Sequence, residues 1–245
     1  MDYGLKDKRV LVTGSAGGLG KTLAKVFDEE GAYVILHGRE AEKELLEGVL
    51  SELSRGEYFM ADFSDEESVE NLWKQVGAVD ILVNNAGIWP TAYVKDMTSD
   101  QFRKTLEINL IAPFILSRNF LNERIASGKK GKIINLVSQA AFHGSTSGHA
   151  HYAASKAGMV GFTVSMAREA APLGINVNAV APGMMRTPMN KDALEQREDA
   201  YLERIPLRRI ADPIEVAYAV VYLASNKADY ITGATLDVTG GMLMR

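Results

Sequence analysis

Cysteine is absent from this 245-residue chain, and concentrated positive charge is scarce. Without cysteine there can be no disulfide and no thiolate metal site, and the histidines show no metal-ligand spacing. The formal net charge is −4, and no run of basic residues is longer than a pair such as Lys129-Lys130. A surface for nucleic acid is therefore not expected, and neither is a bound metal.

Long hydrophobic runs are absent as well. No stretch approaches the roughly 20 apolar residues that span a bilayer, and the first six residues lack the apolar core of a signal peptide. We therefore expect no membrane partner, and the lack of cysteine favours a cytoplasmic location.

What the chain does contain is an alternation of short apolar runs with amphipathic segments, typical of a parallel sheet covered by helices. The runs lie at residues 9–12, 32–36, 58–60, 80–83, 132–137, 176–180 and 235–238. Ser64 and Asp212 are predicted helix caps. We predict an α/β fold with one domain over residues 1–245: a Rossmann-type doubly wound parallel sheet of about seven strands, with helices on both faces. The least regular stretch, about 183–209, predicts a mobile flap over the substrate.

A glycine-rich loop follows the first predicted strand. Residues 13–20 read Thr-Gly-Ser-Ala-Gly-Gly-Leu-Gly, and a helical pattern begins directly afterwards. Glycine lets the backbone turn tightly and approach a pyrophosphate, whose charge the helix N-terminus then meets. The loop predicts dinucleotide binding through Gly14, Ser15, Gly18, Leu19 and Gly20.

The end of the second predicted strand bears on the choice of cofactor. An acid there would pair with the ribose 2′-hydroxyl of NAD, but the sequence reads His-Gly-Arg-Glu at residues 37–40. Arg39 can receive a 2′-phosphate, so NADP is favoured. If Arg39 is instead a solvated loop residue and Glu40 caps the next helix, NAD stays possible.

A tyrosine and a lysine carry the predicted chemistry. Tyr152 and Lys156 stand at i and i+4 of a helical segment, which places phenol and ammonium on one face. The ammonium and an oxidised nicotinamide both favour the phenolate, so the pattern predicts a lowered phenol pKa and a general acid/base role for Tyr152. Ser138, at the end of the fifth predicted strand, is expected to bond the substrate oxygen.

Together with Asn84-Asn85-Ala86-Gly87 and Pro182-Gly183, these motifs resemble the short-chain dehydrogenase/reductase family over nearly the whole chain. The resemblance implies that Asn109 completes the catalytic set by bending its helix and holding a water that links Lys156 to solvent. It also implies a homotetramer built from helices near residues 100–127 and 152–172 and from the strand near Leu236. Further cofactor contacts are implied at Asp62, Phe63, Asn85, Ala86, Gly87, Tyr152, Lys156, Pro182, Gly183, Met185 and Thr187.

The substrate is less sharply indicated than the reaction. The segment from Tyr152 through Met189 and the ending at residues 240–244 resemble the 3-oxoacyl-carrier-protein reductases. Two features differ: Leu173 stands where those enzymes carry a basic residue, and the loop between Ser138 and Tyr152 is one residue longer. That loop is rich in polar side chains, so a sugar, polyol or sugar acid is the leading small-molecule substrate class. Its histidines, His143, His149 and His151, are expected to be loop or interface residues rather than catalysts. The alternatives are an acyl-thioester reductase and a catalytically idle nucleotide-binding protein.

Overall fold

The protein is described by a computed structural model that covers residues 2–145 and 148–245. Within these residues the strands are β1 (Arg9–Val12), β2 (Tyr33–Gly38), β3 (Gly56–Met60), β4 (Ile81–Asn84), β5 (Gly131–Leu136), β6 (Ile175–Pro182) and β7 (Thr235–Val238). They form one parallel sheet in the order β3-β2-β1-β4-β5-β6-β7. At the centre, Val10 of β1 pairs with Val34 of β2 on one side and Ile81 of β4 on the other.

Helices connect successive strands and cover the sheet. In chain order they are α1 (Gly18–Glu29), α2 (Lys43–Ser51), α3 (Glu66–Val76), α4 (Ser99–Leu106), α5 (Ala112–Ser127), α6 (Ala140–His143), α7 (Ala150–Ala170), α8 (Lys191–Arg204) and α9 (Pro213–Ala224). A π-helical turn, Glu107–Ile111, joins α4 to α5. None of the helices within the described ranges is both long and apolar enough to cross a bilayer.

Side chains of each central strand alternate between two cores. Val10 and Val12 of β1 point into a core with α1, α2 and α9, whereas Leu11 between them points into a core with α3, α5 and α7. The alternation follows from the two-residue period of a strand, and burial on both faces explains why the strands read as continuous apolar runs. The predicted doubly wound sheet with helices on both faces is confirmed.

The strand order reverses between β1 and β4. In such open sheets the crevice outside the carboxyl ends of the strands at this point is where ligands bind. The glycine-rich loop follows β1, and Asn85 begins the loop after β4, so the two segments meet at this crevice. The topology therefore positions the predicted site residues along one edge of the sheet.

Some predicted boundaries are wrong, because strand ends depend on the neighbouring strand. The second strand was predicted at residues 32–36 but begins at Tyr33 and runs to Gly38, since Gly38 still pairs with Met60 of β3. The sixth was predicted at 176–180 but occupies Ile175–Pro182, since Pro182 pairs with Val238 of β7.

The helix caps are partly as predicted. The Asp212 amide donates to the Glu215 carboxylate at 3.0 Å, the reciprocal contact expected where α9 begins. Ser64 does not cap α3: the Asp65 carboxylate accepts from the Glu67 amide, and the Ser64 hydroxyl donates to Asp62 instead.

The segment 183–209 is more regular than predicted. Helix α8 occupies residues 191–204, with a kink where Arg197 leaves helical geometry at φ −145°. Leu194, Ile205 and Ile210 form a small core of their own, against which Met184 and Met242 pack. Movement of this segment over the substrate stays a prediction.

Candidate active site

A cavity of about 1090 Å³ runs along the carboxyl edge of the sheet. Its walls come from the loops that follow β1, β2, β3, β4, β5 and β6, together with the first turn of α7 and part of α8. This volume exceeds the upper end of ordinary small-ligand pockets, roughly 1,000 Å³, and is large enough for a dinucleotide beside a small substrate. In the part of the chain that the structure describes, no group of three or more His, Asp or Glu side chains is arranged to hold a metal.

The glycine-rich loop packs so closely at Gly14 and Gly20 that side chains would not fit there. A Cβ on Gly20 would lie 2.0 Å from the Gly14 carbonyl oxygen, and one on Gly14 would lie 2.8 Å from the Cα of Ala86. Gly17 has nothing within 4 Å of its Cβ position and borders the cavity, as do Gly14, Gly18, Leu19 and Gly20. Helix α1 begins here at Gly18 and directs its N-terminus at the cavity, the arrangement that meets a pyrophosphate.

Thr13, which the sequence patterns did not single out, ties this loop to the one after β4. Its hydroxyl accepts from the amides of Asn85 and Ala86, at 2.9 and 3.0 Å. The Asn85 side chain returns a hydrogen bond to the Thr13 carbonyl at 2.8 Å. Asn85, Ala86 and Gly87 thereby line the cavity in a fixed position beside the glycine-rich loop.

Ser15 is placed differently from the prediction. It is fully buried and does not line the cavity; its hydroxyl accepts from the His37 amide at 2.8 Å and lies 3.2 Å from the His37 carbonyl. The His37 ring was also missed: its Nδ1 accepts from the Gly14 amide at 3.1 Å, and it stacks on Phe63 with centroids 4.2 Å apart. Ser15 therefore supports the loop from behind, and His37 supports it through Nδ1 while its ring also borders the cavity.

The residues at the end of the cavity beside β2 and β3 carry both signs of charge. Arg39, whose side chain is 65% exposed, donates from its guanidinium to Glu42 at 2.8 Å, and its amide donates to the same carboxylate. Glu42, and not Glu40 as the alternative interpretation had it, is therefore the acid at this turn. The Ser64 hydrogen bonds lower the pKa of Asp62, which lines the cavity with Arg39, Glu42 and Phe63.

The predicted catalytic side chains lie together at the other end. Ser138, after β5, hydrogen-bonds the Tyr152 phenol. Lys156 Nζ lies 5.8 Å from the centroid of the Tyr152 ring and donates to the Leu136 carbonyl oxygen at 2.7 Å. One helical turn therefore separates phenol and ammonium as the spacing predicts, and all three side chains border the cavity.

Burial dominates the titration of this pair. It raises the pKa of the Tyr152 phenol, against which the Ser138 hydrogen bond acts, and it lowers the pKa of Lys156 to about 8. Desolvation thus disfavours the phenolate in the protein by itself, and the lowered phenol pKa, which was expected with an oxidised nicotinamide beside Tyr152, stays a prediction. The pKa of Lys156 near 8 leaves most of this side chain protonated at neutral pH.

Asn109 lies in the π-helical turn, so the predicted irregularity of its helix is present. Its amide nitrogen donates to the Ile88 carbonyl at 3.0 Å and to the Ser155 hydroxyl at 3.1 Å, while its oxygen accepts from the Ile88 amide at 2.8 Å. Both side-chain N–H groups are thus used in joining α7 to the loop after β4. A water held by Asn109 stays a prediction and would need an oxygen of this residue as its acceptor.

The loop after β6 closes the cavity between the two ends. Pro182, Gly183, Met185 and Thr187, predicted to contact the cofactor, all line it. The Met185 backbone forms an isolated parallel bridge with Ala211, which attaches this loop to the start of α9.

Aromatic and polar side chains form the wall nearest Tyr152. The Trp89 ring stacks on His149 with centroids 4.2 Å apart and meets Tyr152 edge-on at 6.4 Å. Gln139 and His151 line the same region and are buried, and they are the first and last residues of the polar loop predicted to bond a hydroxylated substrate. Thr146 and Ser147, part of the polar loop predicted to bond a substrate, lie outside the described residues.

Comparisons with known proteins decide the family. Residues 14–243 match a family model described as Enoyl-(Acyl carrier protein) reductase. The chain is 41% identical over 247 residues to Nodulation protein G of Rhizobium sp. (strain N33), with 99% of each chain covered. A solved structure described as a short chain dehydrogenase/reductase family protein has a TM-score of 0.88 and 37% identity, with 98% of each chain covered.

The chain belongs to the short-chain dehydrogenase/reductase family, and it is an oxidoreductase. Two further relatives of this dehydrogenase/reductase have different names. It is 40% identical over 239 residues to the 3-oxoacyl-[acyl-carrier-protein] reductase FabG of Rickettsia typhi, covering 97% of each chain. It is 36% identical, with a TM-score of 0.92 and coverage of 100% and 99%, to a provisionally assigned 2-deoxy-d-gluconate 3-dehydrogenase from Agrobacterium tumefaciens with bound NADP.

Proposed function

We propose that this protein is an NADP-dependent dehydrogenase/reductase that interconverts a secondary alcohol and a ketone on a sugar, polyol or sugar acid. The observation that carries the proposal is the meeting of Ser138, Tyr152 and Lys156 at one end of a cleft whose other end is the glycine-rich loop. The cleft, at about 1090 Å³, is large enough for a dinucleotide beside a small substrate.

Tyr152 moves the proton. In reduction its phenol donates the proton to the carbonyl oxygen, and in oxidation it accepts the hydroxyl proton. When bound, the nicotinamide would supply or accept the hydride, and its oxidised form would carry a positive charge that favours the Tyr152 phenolate. Ser138, already hydrogen-bonded to the phenol, holds the substrate oxygen beside it and stabilises developing charge.

Lys156 and Asn109 support this transfer. One Lys156 N–H is held by the Leu136 carbonyl, so the remaining two can reach a ribose and the phenol side of the cleft. Asn109 fixes α7 at Ser155, one residue before Lys156, and so keeps the lysine in register with the cleft.

Arg39 supports the preference for NADP. Its guanidinium borders the adenosine end and can pair with a 2′-phosphate in a charge-assisted contact. Glu42 now holds that guanidinium, so phosphate binding exchanges one anionic partner for another. The relative with bound NADP supports the same choice.

Two polar side chains and the Arg204 guanidinium support a hydroxylated and anionic substrate. Gln139 and His151 border the cavity and are the chain neighbours of Ser138 and Tyr152. Arg204 of α8, which is distant from them in sequence, lines the same cavity. Relatives named gluconate dehydrogenases, one of them provisionally assigned as a gluconate 5-dehydrogenase from Beutenbergia cavernae with bound NADP, agree with this class.

A second candidate is a 3-oxoacyl-thioester reductase. Relatives at about 40% identity named 3-oxoacyl-[acyl-carrier-protein] reductase favour it. The exposed Lys129 also favours it, because the resemblance to those reductases implies a basic contact at this position. Against this candidate, Leu173, which is 44% exposed, offers no positive charge to an acyl-carrier protein. The same proton transfer through Tyr152 would serve either substrate.

The deciding experiment has two steps on one preparation. Calorimetry compares NADPH with NADH, and an absorbance assay then screens sugars, polyols, sugar acids and acetoacetyl thioesters at saturating cofactor. Turnover confined to the hydroxylated substrates supports the proposal, and turnover confined to the thioesters supports the second candidate. Cofactor binding without turnover of any substrate would favour a catalytically idle protein.

Replacing the phenol tests the mechanism. Tyr152→Phe should remove turnover, by roughly a thousandfold or more for loss of the proton donor and its alignment, while leaving the NADPH dissociation constant within a few-fold. Tyr218→Phe removes a phenol that is 59% exposed on α9 and is the matched control, expected to behave as the native protein. Near-normal turnover by Tyr152→Phe would refute the assignment.

For the assembly we propose a homotetramer. Apolar side chains are exposed on the helices implied to form it, among them Phe114 on α5, at 40%, and Val164 on α7, at 36%; Leu236 on β7 is 39% exposed. Light scattering that shows a monomer at working concentrations would contradict this proposal.

A further inference from the structure

Two buried polar groups beside the catalytic side chains have no use in the mechanism above. His151, directly before Tyr152, is fully buried, and neither of its ring nitrogens has a hydrogen-bond partner among residues 2–145 and 148–245. Gln139, directly after Ser138, is 9% exposed, and its side-chain oxygen is likewise unpartnered. Both side chains line the cavity.

Such groups are costly unless something binds them. An unsatisfied buried polar atom costs about 1–3 kcal/mol, so native proteins leave few of them. The Gln139 amide does donate to the Met242 sulfur at 3.1 Å, but a thioether is a weak acceptor and leaves the amide oxygen unused. Among the described residues, three of the six unpartnered buried side-chain atoms belong to Gln139 and His151, the chain neighbours of the two residues that handle the substrate oxygen.

The chemistry of the two groups specifies their partner. Burial, and to a smaller degree the neighbouring His149, lowers the pKa of His151, so its ring is neutral at pH 7. A neutral imidazole offers one N–H donor and one nitrogen acceptor, and the Gln139 oxygen offers a second acceptor. A hydroxyl both donates and accepts, so it satisfies either group, whereas a hydrocarbon chain satisfies neither.

Two stacked aromatic rings also border this region. Trp89 and His149 stack nearly in parallel, with an angle of 22° between the rings, and the His149 Nδ1 is held by the Pro90 carbonyl at 2.8 Å. A rigid aromatic face suits the C–H side of a polyol chain or sugar ring while its hydroxyls meet polar groups elsewhere.

We infer that His151 and Gln139 are substrate-binding residues that each hydrogen-bond a hydroxyl on a carbon next to the reacting carbonyl carbon. This inference rests on the proposed function and sharpens its substrate class to ketones that carry a hydroxyl beside the carbonyl. His151 binds the first hydroxyl and Gln139 the second, and Trp89 contacts the carbon chain between them. The two residues select the substrate, and Tyr152 carries out the proton transfer.

Three small ketones test the inference: acetone, hydroxyacetone and 1,3-dihydroxyacetone, which carry none, one and two such hydroxyls. The kcat/KM of each is measured by NADPH consumption for the native protein, His151→Phe and His151→Gln. Phenylalanine keeps the ring volume without hydrogen bonds, and glutamine keeps hydrogen bonding without the ring. The NADPH dissociation constant of each variant reports whether the fold and the cofactor site are intact.

The native protein should prefer hydroxyacetone to acetone, and His151→Phe should reduce that ratio roughly 10- to 100-fold, mainly through KM. His151→Gln should keep the ratio within a few-fold of the native value. Gln139→Leu should reduce the ratio of kcat/KM for dihydroxyacetone to that for hydroxyacetone. Comparing ratios between variants removes the greater intrinsic reactivity of the hydroxylated ketones.

An unchanged ratio in His151→Phe, or an equal loss for all three ketones with normal NADPH binding, would overturn the role of His151 and leave the proposed function standing. Turnover of acetoacetyl thioesters but of none of the ketones by the native protein would instead overturn the proposed substrate class. The two failures are therefore separate outcomes of one set of measurements.

Discussion

Acid should weaken this protein through His37, a buried side chain behind the glycine-rich loop. Its Nδ1 accepts from the Gly14 amide at 3.1 Å, and its Nε2 lies 3.2 Å from the Ala61 carbonyl, so the ring is neutral with its proton on Nε2. Protonation of Nδ1 would set two N–H groups against each other at the glycine-rich loop. Burial accordingly lowers the pKa of His37 to about 4.

The sign and size of the effect follow from linkage. Because the folded-state pKa is depressed from 6.5 to about 4, the unfolded chain binds more protons between these values. Stability contributed by the neutral ring is complete above pH 6.5 and is lost as the pH falls. At roughly 1.4 kcal/mol per pH unit the full loss is about 3 kcal/mol at pH 4, and about 2 kcal/mol is already lost at pH 5.

His37→Asn isolates this contribution. The asparagine oxygen can still accept from the Gly14 amide, but it does not titrate, and loss of the stack on Phe63 changes stability equally at every pH. The free energy of unfolding is measured in urea, at one protein concentration, at pH 7 and pH 5. The native protein should lose about 2 kcal/mol more than His37→Asn between the two pH values. Other titrating groups, including His149 and His151, cancel in this difference, so equal losses would refute the reasoning.

Two further predictions concern the cofactor end of the cleft. Arg39→Ala should weaken NADPH binding roughly 10- to 100-fold by calorimetry and leave NADH binding nearly unchanged, because one charge-assisted contact is removed. Glu42→Gln, which frees the Arg39 guanidinium, should strengthen NADPH binding. Equal losses of affinity for both cofactors in Arg39→Ala would contradict the assignment. Gly20→Ala should destabilise the fold by about 1–3 kcal/mol, because its Cβ would meet the Gly14 carbonyl at 2.0 Å. Gly17→Ala, with nothing within 4 Å of its Cβ, should melt at the native temperature, and equal melting temperatures for both variants would contradict the packing argument.

Local apolar patterns were sufficient to predict the fold, because burial of the strands under helices requires those same patterns. The run at residues 9–12 is apolar at its last three positions, Val10 to Val12, since β1 is covered on both faces there, and β7 was predicted with its correct bounds, Thr235–Val238. Boundaries were wrong where a distant strand decided them, as Pro182 shows by its pairing with Val238. Helix α8 was missed because its sequence is polar on most faces and only Leu194 is buried.

The candidate site divides along the same line. The spacing within one helix predicted that Tyr152 and Lys156 share a face, and the strand-loop-helix context predicted that the glycine-rich loop lines the cleft. Spacing could not show that Ser15 turns inward to His37, since that contact joins residues 22 positions apart. Nor could it show that burial raises the phenol pKa of Tyr152, because desolvation depends on every element packed around the ring.

By itself, then, the sequence determined the sheet, its two helical layers, the dinucleotide cleft and the Tyr152–Lys156 pair, because each depends on apolar periodicity or on contacts within one turn of chain. Only the tertiary structure decided how Arg39 is engaged by Glu42, how Asn109 reaches Ser155 across 46 positions, and that His151 is buried with both nitrogens unpartnered. These features depend on side chains from separate elements, and their burial and hydrogen bonding exist only once the elements have packed.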